Sequence, residues 1–480
     1  MSCSAGAFAT ALGVAGLSLG CAAIHKDAGF GDVQSTIRER TGLTAQWEQQ
    51  ASTDRAVEER VRELLAEELT SMSAVEITML NSRRLQETFD ELGIARADLL
   101  EARLVRNPVL GAEIRFPDRP LELSITQSIV DLLTLRRRRG VASANFEATK
   151  QRVTDEVLRT IAEVRTAFYF LQSAEQSRSM RETVVKAANA AAELAIRQHE
   201  AGNISDLDLE NEQAMLAQAK LELAQSDGLV LVRRERLNAL MGLWGAQTAW
   251  KLAPKLPDIP EREPDLDSVE SLAVSQRLDL ASARHEAEAA ARAVGLARPE
   301  AIGEILAGVH REREPEGTTS TGPAIEVPLP IFNRGKARKV RAEAIFRRAL
   351  DRYAALAVEI RAEARAARSQ VSLARDRVEY YRDVLLPRRE RIVAFSLQNY
   401  NFMLVDAFRL LLARQEEVKA REGYIEALSE YWIARSELER AVGGSLRTTE
   451  SGRSSSWPTE GITGAETVNG NLKQHGGHEQ

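Results

Sequence analysis

Cysteine is almost missing from this chain of 480 residues: the only two, Cys3 and Cys21, lie in the N-terminal segment. The body of the protein therefore has no disulfide and no cysteine metal site. Aromatic residues make up 5%, too sparse for a globular enzyme core, while Ala, Glu, Arg and Leu dominate, which suits helix and coiled coil. Past the first residues, no run reaches the roughly eighteen consecutive apolar positions of a membrane-spanning helix. The formal net charge is −6, which argues against a nucleic-acid tunnel or glove. The helices also lack a nucleophile–base pair, a phosphate loop and a histidine cluster, so nothing points to an enzyme, and no cofactor or metal site is expected. His475 and His478 stand in a Gly-, Ser- and Thr-rich tail and read as solvated residues.

One stretch organises what is present. From Leu132 to Glu200 there is no proline and one early glycine, Gly140. Apolar residues at Val157, Ile161, Val164, Phe168, Leu171, Met180, Val184, Ala187, Ala191 and Leu194 alternate steps of four and three, an a/d seam. A second seam (Val185, Ala188, Ala192, Ala195) lies beside it, so the helix touches neighbours on two sides. At 1.5 Å per residue it is roughly 100 Å long, far beyond an ordinary globular helix. The pattern recurs. Leu132-Leu133 corresponds to Ile331-Phe332 and Ala201-Gly202 to Tyr400-Asn401, both 199 residues apart, and the second stretch carries its own seam at Ile360, Ala364, Ala367, Val371, Ala374, Val378, Tyr381 and Leu385. The expectation is an internal duplication that holds helix length fixed, as spanning a set distance would require.

The surrounding chain falls into order around these helices. Ala5 to Ala23 is a short apolar run where a signal peptide belongs. Leu17-Ser18-Leu19-Gly20-Cys21 resembles a bacterial lipoprotein processing box, with Cys21 as the acylated residue; a plain signal peptide or a disordered terminus is the simpler alternative. Asp27 to Thr70 reads as polar and helical in part, over Val57 to Leu69, and Ser73 to Leu104 as one amphipathic helix that stops before Asn107-Pro108. The period then changes to two. Leu110, Ala112, Ile114 and Phe116 oppose Gly111, Glu113 and Arg115. After a turn at Pro117 to Pro120, Leu121, Leu123 and Ile125 oppose Glu122, Ser124, Thr126 and Ser128. Such a hairpin suits a membrane barrel, lipid outside and water inside, or a half-buried soluble sheet. Arg136 to Arg139, and Lys336, Arg338 and Lys339 in the second copy, would lie level with acidic headgroups where strand becomes helix.

The first long helix ends at Gly202-Asn203-Ile204-Ser205, and a return helix runs from Asp206 to Met241. Gly245 to Pro264 reads as an irregular connector and Leu266 to Leu296 as another helix. Strands are expected at Gly303 to Arg311 and Ala324 to Leu329, joined by a long loop, and Pro387 should bend the second long helix. The second turn is Tyr400 to Met403, with Asn401 able to take the left-handed conformation. The expected organisation is a signal peptide (1–20), an N-terminal periplasmic segment (21–72), a first repeat (73–265), a second repeat (266–443) and a disordered tail (444–480).

Four strands cannot close a barrel, whereas three chains would supply twelve, enough for a water channel continued by a helical tube. Three stretches carry a resemblance to the TolC-like outer-membrane factor family: Leu80 to Gln86; Leu92 to Leu99 followed by Asn107-Pro108-Val109-Leu110; and Val327-Pro328-Leu329-Pro330-Ile331-Phe332-Asn333-Arg334-Gly335. The chain looks most similar to the lipoprotein branch that includes heavy-metal and drug efflux components. The resemblance implies a mainly α fold: a helical barrel continued by a twelve-stranded membrane β-barrel in a homotrimer. It also implies a periplasmic adaptor and an inner-membrane transporter, of RND type, as partners, with the channel held in outer-membrane lipid. Function would be passive conduction through a gated pore. Asp206, Asp208 and Asp406 stand just after the two turns and would form carboxylate rings that gate it, or would simply favour helix N-termini. Asn203, Ile204, Phe402 and Met403 are expected to be exposed and to touch the adaptor. A type I protein-secretion channel and, further off, a periplasmic coiled-coil adaptor or scaffold remain the alternatives.

Overall fold

A computed structural model describes residues 28–47, 54–114, 116, 121–253, 255–264, 266–297, 303–313, 317–329, 331–405 and 407–445. The N-terminal part holds α1 (Phe30–Thr41), α2 (Asp54–Ala66), β1 (Glu68–Leu69), α3 (Ser71–Asn81) and α4 (Arg83–Glu101). The strands β2 (Val109–Ile114) and β3 (Leu121–Ser128) lead into α5 (Ile129–Glu200) and its return helix α6 (Asp206–Met241). After β4 (Lys251–Leu252) come α7 (Val269–Gln276) and α8 (Leu278–Leu296). The strands β5 (Leu306–Arg313) and β6 (Thr319–Glu326) then lead into α9 (Lys336–Tyr380), a π-turn at Tyr381–Leu385, α10 (Leu386–Asn401) and α11 (Ala407–Val442).

The helix α5 has 72 residues, about 108 Å. Its start is fixed by Ser128, whose side chain accepts from the Asp131 N–H. Asp131 is buried, and Arg138 (2.9 Å) and Arg106 (3.6 Å) compensate its charge. The expected return helix appears as α6, opened by a capping box between Ser205 and Asp208 and closed at Gly242. The second long helix starts later than the 199-residue correspondence implies. Ile331-Phe332 lie outside any helix, and Phe332 is 99% exposed, because Pro328 and Pro330 precede α9.

Two helices read as continuous are each broken in two. Ser82 (φ −73°, ψ 114°) separates α3 from α4, and Arg277 (φ −63°, ψ 124°) separates α7 from α8. Neither residue is a helix breaker, so tertiary contacts set both breaks. Asn81 donates to the carbonyls of Met241 (3.0 Å) and Gly242 (2.9 Å). Arg277, almost fully buried, forks onto Asp279 and reaches Glu363 at 2.8 Å.

The core occupies the middle stretch of the long helices, not their ends. Val157, Val164, Phe168 and Leu171 of α5 meet Leu85 and Phe89 of α4, Leu237 and Met241 of α6, Val371 and Val378 of α9, and Tyr431 and Leu438 of α11, all essentially buried. The connector after α6 is pinned there. Its Glu263 accepts from Tyr431, Arg375 (3.1 Å) and Arg435 (3.2 Å), and β4 pairs in parallel with β1. Beyond residue 174 only Ala192 and Ala195 of α5 are buried, so each hairpin runs out from the core as a two-helix arm.

The strands form one antiparallel sheet in the order β2-β3-β5-β6. The second hairpin differs from expectation: β6 runs Thr319–Glu326 rather than Ala324–Leu329, and the loop is correspondingly short. The Thr-rich segment read as loop pairs with β5, Arg313 facing Thr319 and Glu312 facing Ser320. Pro323 does not prevent this, because β6 is an edge strand whose outer side needs no donor.

Candidate functional site

At the far ends of the two arms, α5 turns into α6 and α10 into α11. In the first turn Ala201 N–H donates to Arg197 O (3.1 Å), Gly202 to His199 O (2.8 Å) and Asn203 to Gln198 O (2.8 Å). This is a Schellman closure whose left-handed position is Gly202 (φ 75°). The second turn repeats it: Phe402 donates to Gln398 O (3.2 Å), Met403 to Tyr400 O (2.9 Å) and Leu404 to Asn399 O (2.9 Å). Here the left-handed position is Met403 (φ 59°), while Asn401 is the last residue of α10. The expectation that Asn401 takes that conformation is thus corrected, and at the tips the equivalent positions are Gly202 and Met403. The helix runs further before it turns, because no glycine stops it at Asn401.

Three of the four expected contact residues are exposed: Asn203, Phe402 and Met403, the last at 93%. Ile204 is half-buried. Two exposed apolar residues that the sequence reading passed over, Leu207 and Leu404, join them. The turn register was the available signal for Leu404, since it occupies the place of Asn203.

The carboxylates have local work. Asp208 accepts from the Ser205 hydroxyl (2.7 Å) and N–H (3.2 Å), which closes the capping box. The Ser205 hydroxyl first, and then its N–H, hold the Asp208 carboxyl below the usual range. Asp206 is solvent-exposed and 2.7 Å from His199 Nε2 across the turn. Both therefore sit at a helix N-terminus, where a carboxylate is favourable. Asp406 and Cys21 lie outside the described residues. Inboard of the tips the arms are laced together. Arg181 bridges Glu222 of α6 (2.6 Å) and Glu422 of α11 (2.8 Å).

At the other end, the sheet has two unlike faces. One carries Leu110, Ile125, Val309 and Pro323 side by side; the next rows are Ala112-Leu123-Arg311-Thr321 and Ile114-Leu121-Arg313-Thr319, so this face is apolar across β2 and β3 and turns polar at the β5–β6 hairpin end. Leu110, Ile114, Ile125, Val309 and Ile325 are all exposed. The opposite face sets Glu113, Glu122 and Glu312 in one row, with Ser124 and His310 in the next. An exposed apolar sheet face is costly in water and fits lipid. No helix among the described residues is long and apolar enough to cross a membrane, and none of them form a metal-binding cluster of His, Cys, Asp and Glu.

A sheet with an exposed apolar face, rooted on helices roughly 100 Å long, fits the class of long-helical proteins that work at a membrane. The profile described as "Outer membrane efflux protein" matches residues 119–243 and 269–444, more than half of the chain, and the protein belongs to that family. It is a TolC-like efflux protein of the outer membrane, with its helices extending into the periplasm. Among curated relatives, the cobalt-zinc-cadmium resistance protein CzcC of Cupriavidus metallidurans is 23% identical over 398 residues, 78% of this chain and 90% of the relative. The outer-membrane channel OprN superposes with a TM-score of 0.67 at 19% identity, over 86% of this chain and 96% of OprN. CusC gives 0.64 at 15% identity over 78% and 92%. The outer-membrane protein VceC of Vibrio cholerae gives 0.63 at 17% identity over 82% and 97%.

Proposed function

We propose that three copies of this chain form the outer-membrane channel-tunnel of a tripartite efflux pump. The observation that carries this reading is the sheet. Its four strands leave β2 and β6 as unpaired edges beside an exposed apolar face, and open edges are not tolerated in lipid. Three chains give twelve strands, which close a barrel wide enough for water. The glutamate row then faces the lumen, and the arms continue the pore as a helical tube. Each strand pair followed by a long helix is one half of an internal duplication.

Conduction is passive, and energy comes from an inner-membrane transporter of RND type through a periplasmic adaptor. The chain performs no bond chemistry of its own. The adaptor docks on the tips through Asn203, Ile204, Phe402 and Met403. In a trimer Asp206, Asp208 and Asp406 become rings at the narrow end, where like charges repel when the pore closes and favour cations when it opens. Cys21 carries a lipid anchor. Gly29 and Asp32 pack on α5 at Phe146 and Lys150, about 26 Å along the helix from Ile129. The roughly seven residues between Cys21 and Ala28 span up to about 24 Å when extended, close to that distance.

The cargo is a small solute, and divalent metal ions are the favoured class. The acidic tip and the glutamate row support a cation, and the relative CzcC is named for cobalt, zinc and cadmium resistance. The test is accumulation of those three metals, and separately of hydrophobic drugs, in cells with and without the gene. Metal retention in the deletion strain supports the reading; retention of drugs alone reassigns the cargo, and defective export of a polypeptide points to type I secretion. Cysteine at Phe402 or Ile204 should crosslink to the adaptor, and a charged residue there should abolish the crosslink. Unchanged crosslinking refutes the tip contact.

A further inference from the structure

We propose that the outward face of α6 in one copy packs on the outward face of α10 in the next, with Phe395 seated over Ala214 and Ala217. Beyond the core the helices pack in the order α6–α5–α11–α10, so α6 and α10 are the two ends of an open row. On the side of α6 that meets α5, Ala219 and Val230 are buried. The side turned away carries Ala214, Ala217, Leu221, Ala224, Gly228 and Leu231, at steps of three and four, and all of them are exposed. That spacing is an a/d seam without a partner in its own chain. Gly228 stands in mid-helix, where glycine costs about 1 kcal/mol relative to alanine. Nothing lies within 4 Å of the place a Cβ would take there, so one chain gives this glycine no role, whereas close approach by a neighbour does. On α10 the buried Val393 faces α11, and the side turned away carries Arg388, Arg391 and Phe395, all exposed.

The heights of the two faces match. Arg233 of α6 donates to Phe170 O (2.6 Å), Ser429 of α11 donates to Tyr169 O (3.4 Å), and Arg377 of α9 pairs with Glu430. Arg233 and Arg377 therefore stand at one level. Counted from it toward the tips, Phe395 lies at about 27 Å, between Ala217 at about 24 Å and Ala214 at about 29 Å. The exposed Tyr380 lies at about 5 Å and Gly228 at about 8 Å. Rotation about an axis parallel to the helices leaves height unchanged, and a cyclic assembly joins two different faces of the same chain. The ends of the row then meet with a large ring opposite small residues at both levels. Charge agrees with size. From Asp206 to Asp227, α6 carries Asp206, Asp208, Glu210, Glu212, Glu222 and Asp227 against Lys220, whereas α10 carries Arg388, Arg389 and Arg391 against Glu390. Faces of opposite sign attract and hold register, and the occupant that fits by height, size and charge is a second copy of this chain.

The inference rests on the trimer reading, and its test separates the two. Full-length A217C/F395C in outer membranes is treated with a short bis-maleimide and run on a denaturing gel. Linked dimers and trimers are expected. Neither cysteine alone should give them, nor should A217C/V358C, whose cysteines lie on the outward sides of α6 and α9 but about 50 Å apart in height. G228L fills the close approach and should cut the linked fraction about tenfold. A trimer by native mass in which A217C/F395C gives no ladder, or one no stronger than A217C/V358C, overturns the paired faces and leaves the trimer standing. An undiminished ladder in G228L overturns the close approach at Gly228. A monomer by native mass contradicts the trimer reading itself.

Discussion

Met403 is held in a conformation that costs an L-residue about 1–2 kcal/mol, at an exposed tip where nothing packs to offset it. The first tip places Gly202 at the same point. Substituting Gly202→Ala should therefore destabilise the α5–α6 turn by about 1 kcal/mol, read as faster amide exchange across residues 198–205, whereas Met403→Gly should slow exchange in the second turn. Asp208 gives a second test at this scale. Its folded pKa is depressed, so its contribution is in force above the ordinary carboxylate value of about 3.9 and is lost as pH falls through the lower folded value. Ser205→Ala removes the principal hydrogen bond, and the Asp208 titration, followed by carboxyl ¹³C NMR, should move up to the ordinary range. No movement would contradict the capping box. The exposed tip residues were legible from turn chemistry alone. The identity of the left-handed residue was not, because without a stop signal the helix end is set by which carbonyls the turn can satisfy.

Among the elements, the long helices are the most legible, since a seam repeated over many turns has one interpretation. The breaks at Ser82 and Arg277 were invisible because their causes lie far away in sequence, in Met241 and Gly242 for one and Glu363 for the other. Arg277→Ala would leave Asp279 and Glu363 without their shared cation and should cost about 3 kcal/mol in chemical denaturation. Where a bend was expected at Pro387, the helix takes a π-turn over Tyr381–Leu385 just before it. The extra residue in that turn lets the chain avoid the proline ring's clash with the preceding carbonyl. Gly423 of α11 makes room for it, as a Cβ there would come within 2.4 Å of the Tyr381 hydroxyl. Gly423→Ala should destabilise the outer α10–α11 arm by about 1–3 kcal/mol, measured by amide exchange, and Tyr381→Leu in the same chain should restore it. If the single variant is silent, the close approach does not position the arm.

At the level of the whole molecule, one core sits midway along the helices, with an apolar-faced sheet at one end and thin paired arms at the other. The strand alternation around Leu110 and Ile125 was readable as a period of two, yet the sequence left a soluble sheet and a membrane barrel equally open. The family match places the protein at the outer membrane, and the exposed apolar face supports the barrel proposed for the sheet there. β6 was misplaced because its Thr, Gly and Pro residues mimic a loop and only its ladder with β5 reveals a strand. The unpaired edges of β2 and β6 are what one chain cannot resolve alone, and they make the account depend on assembly. The measurement that bears on it most directly is the mass of the complex extracted from the outer-membrane fraction in mild detergent. Three chains per complex are predicted; a monomer, or a soluble periplasmic protein, would contradict the channel.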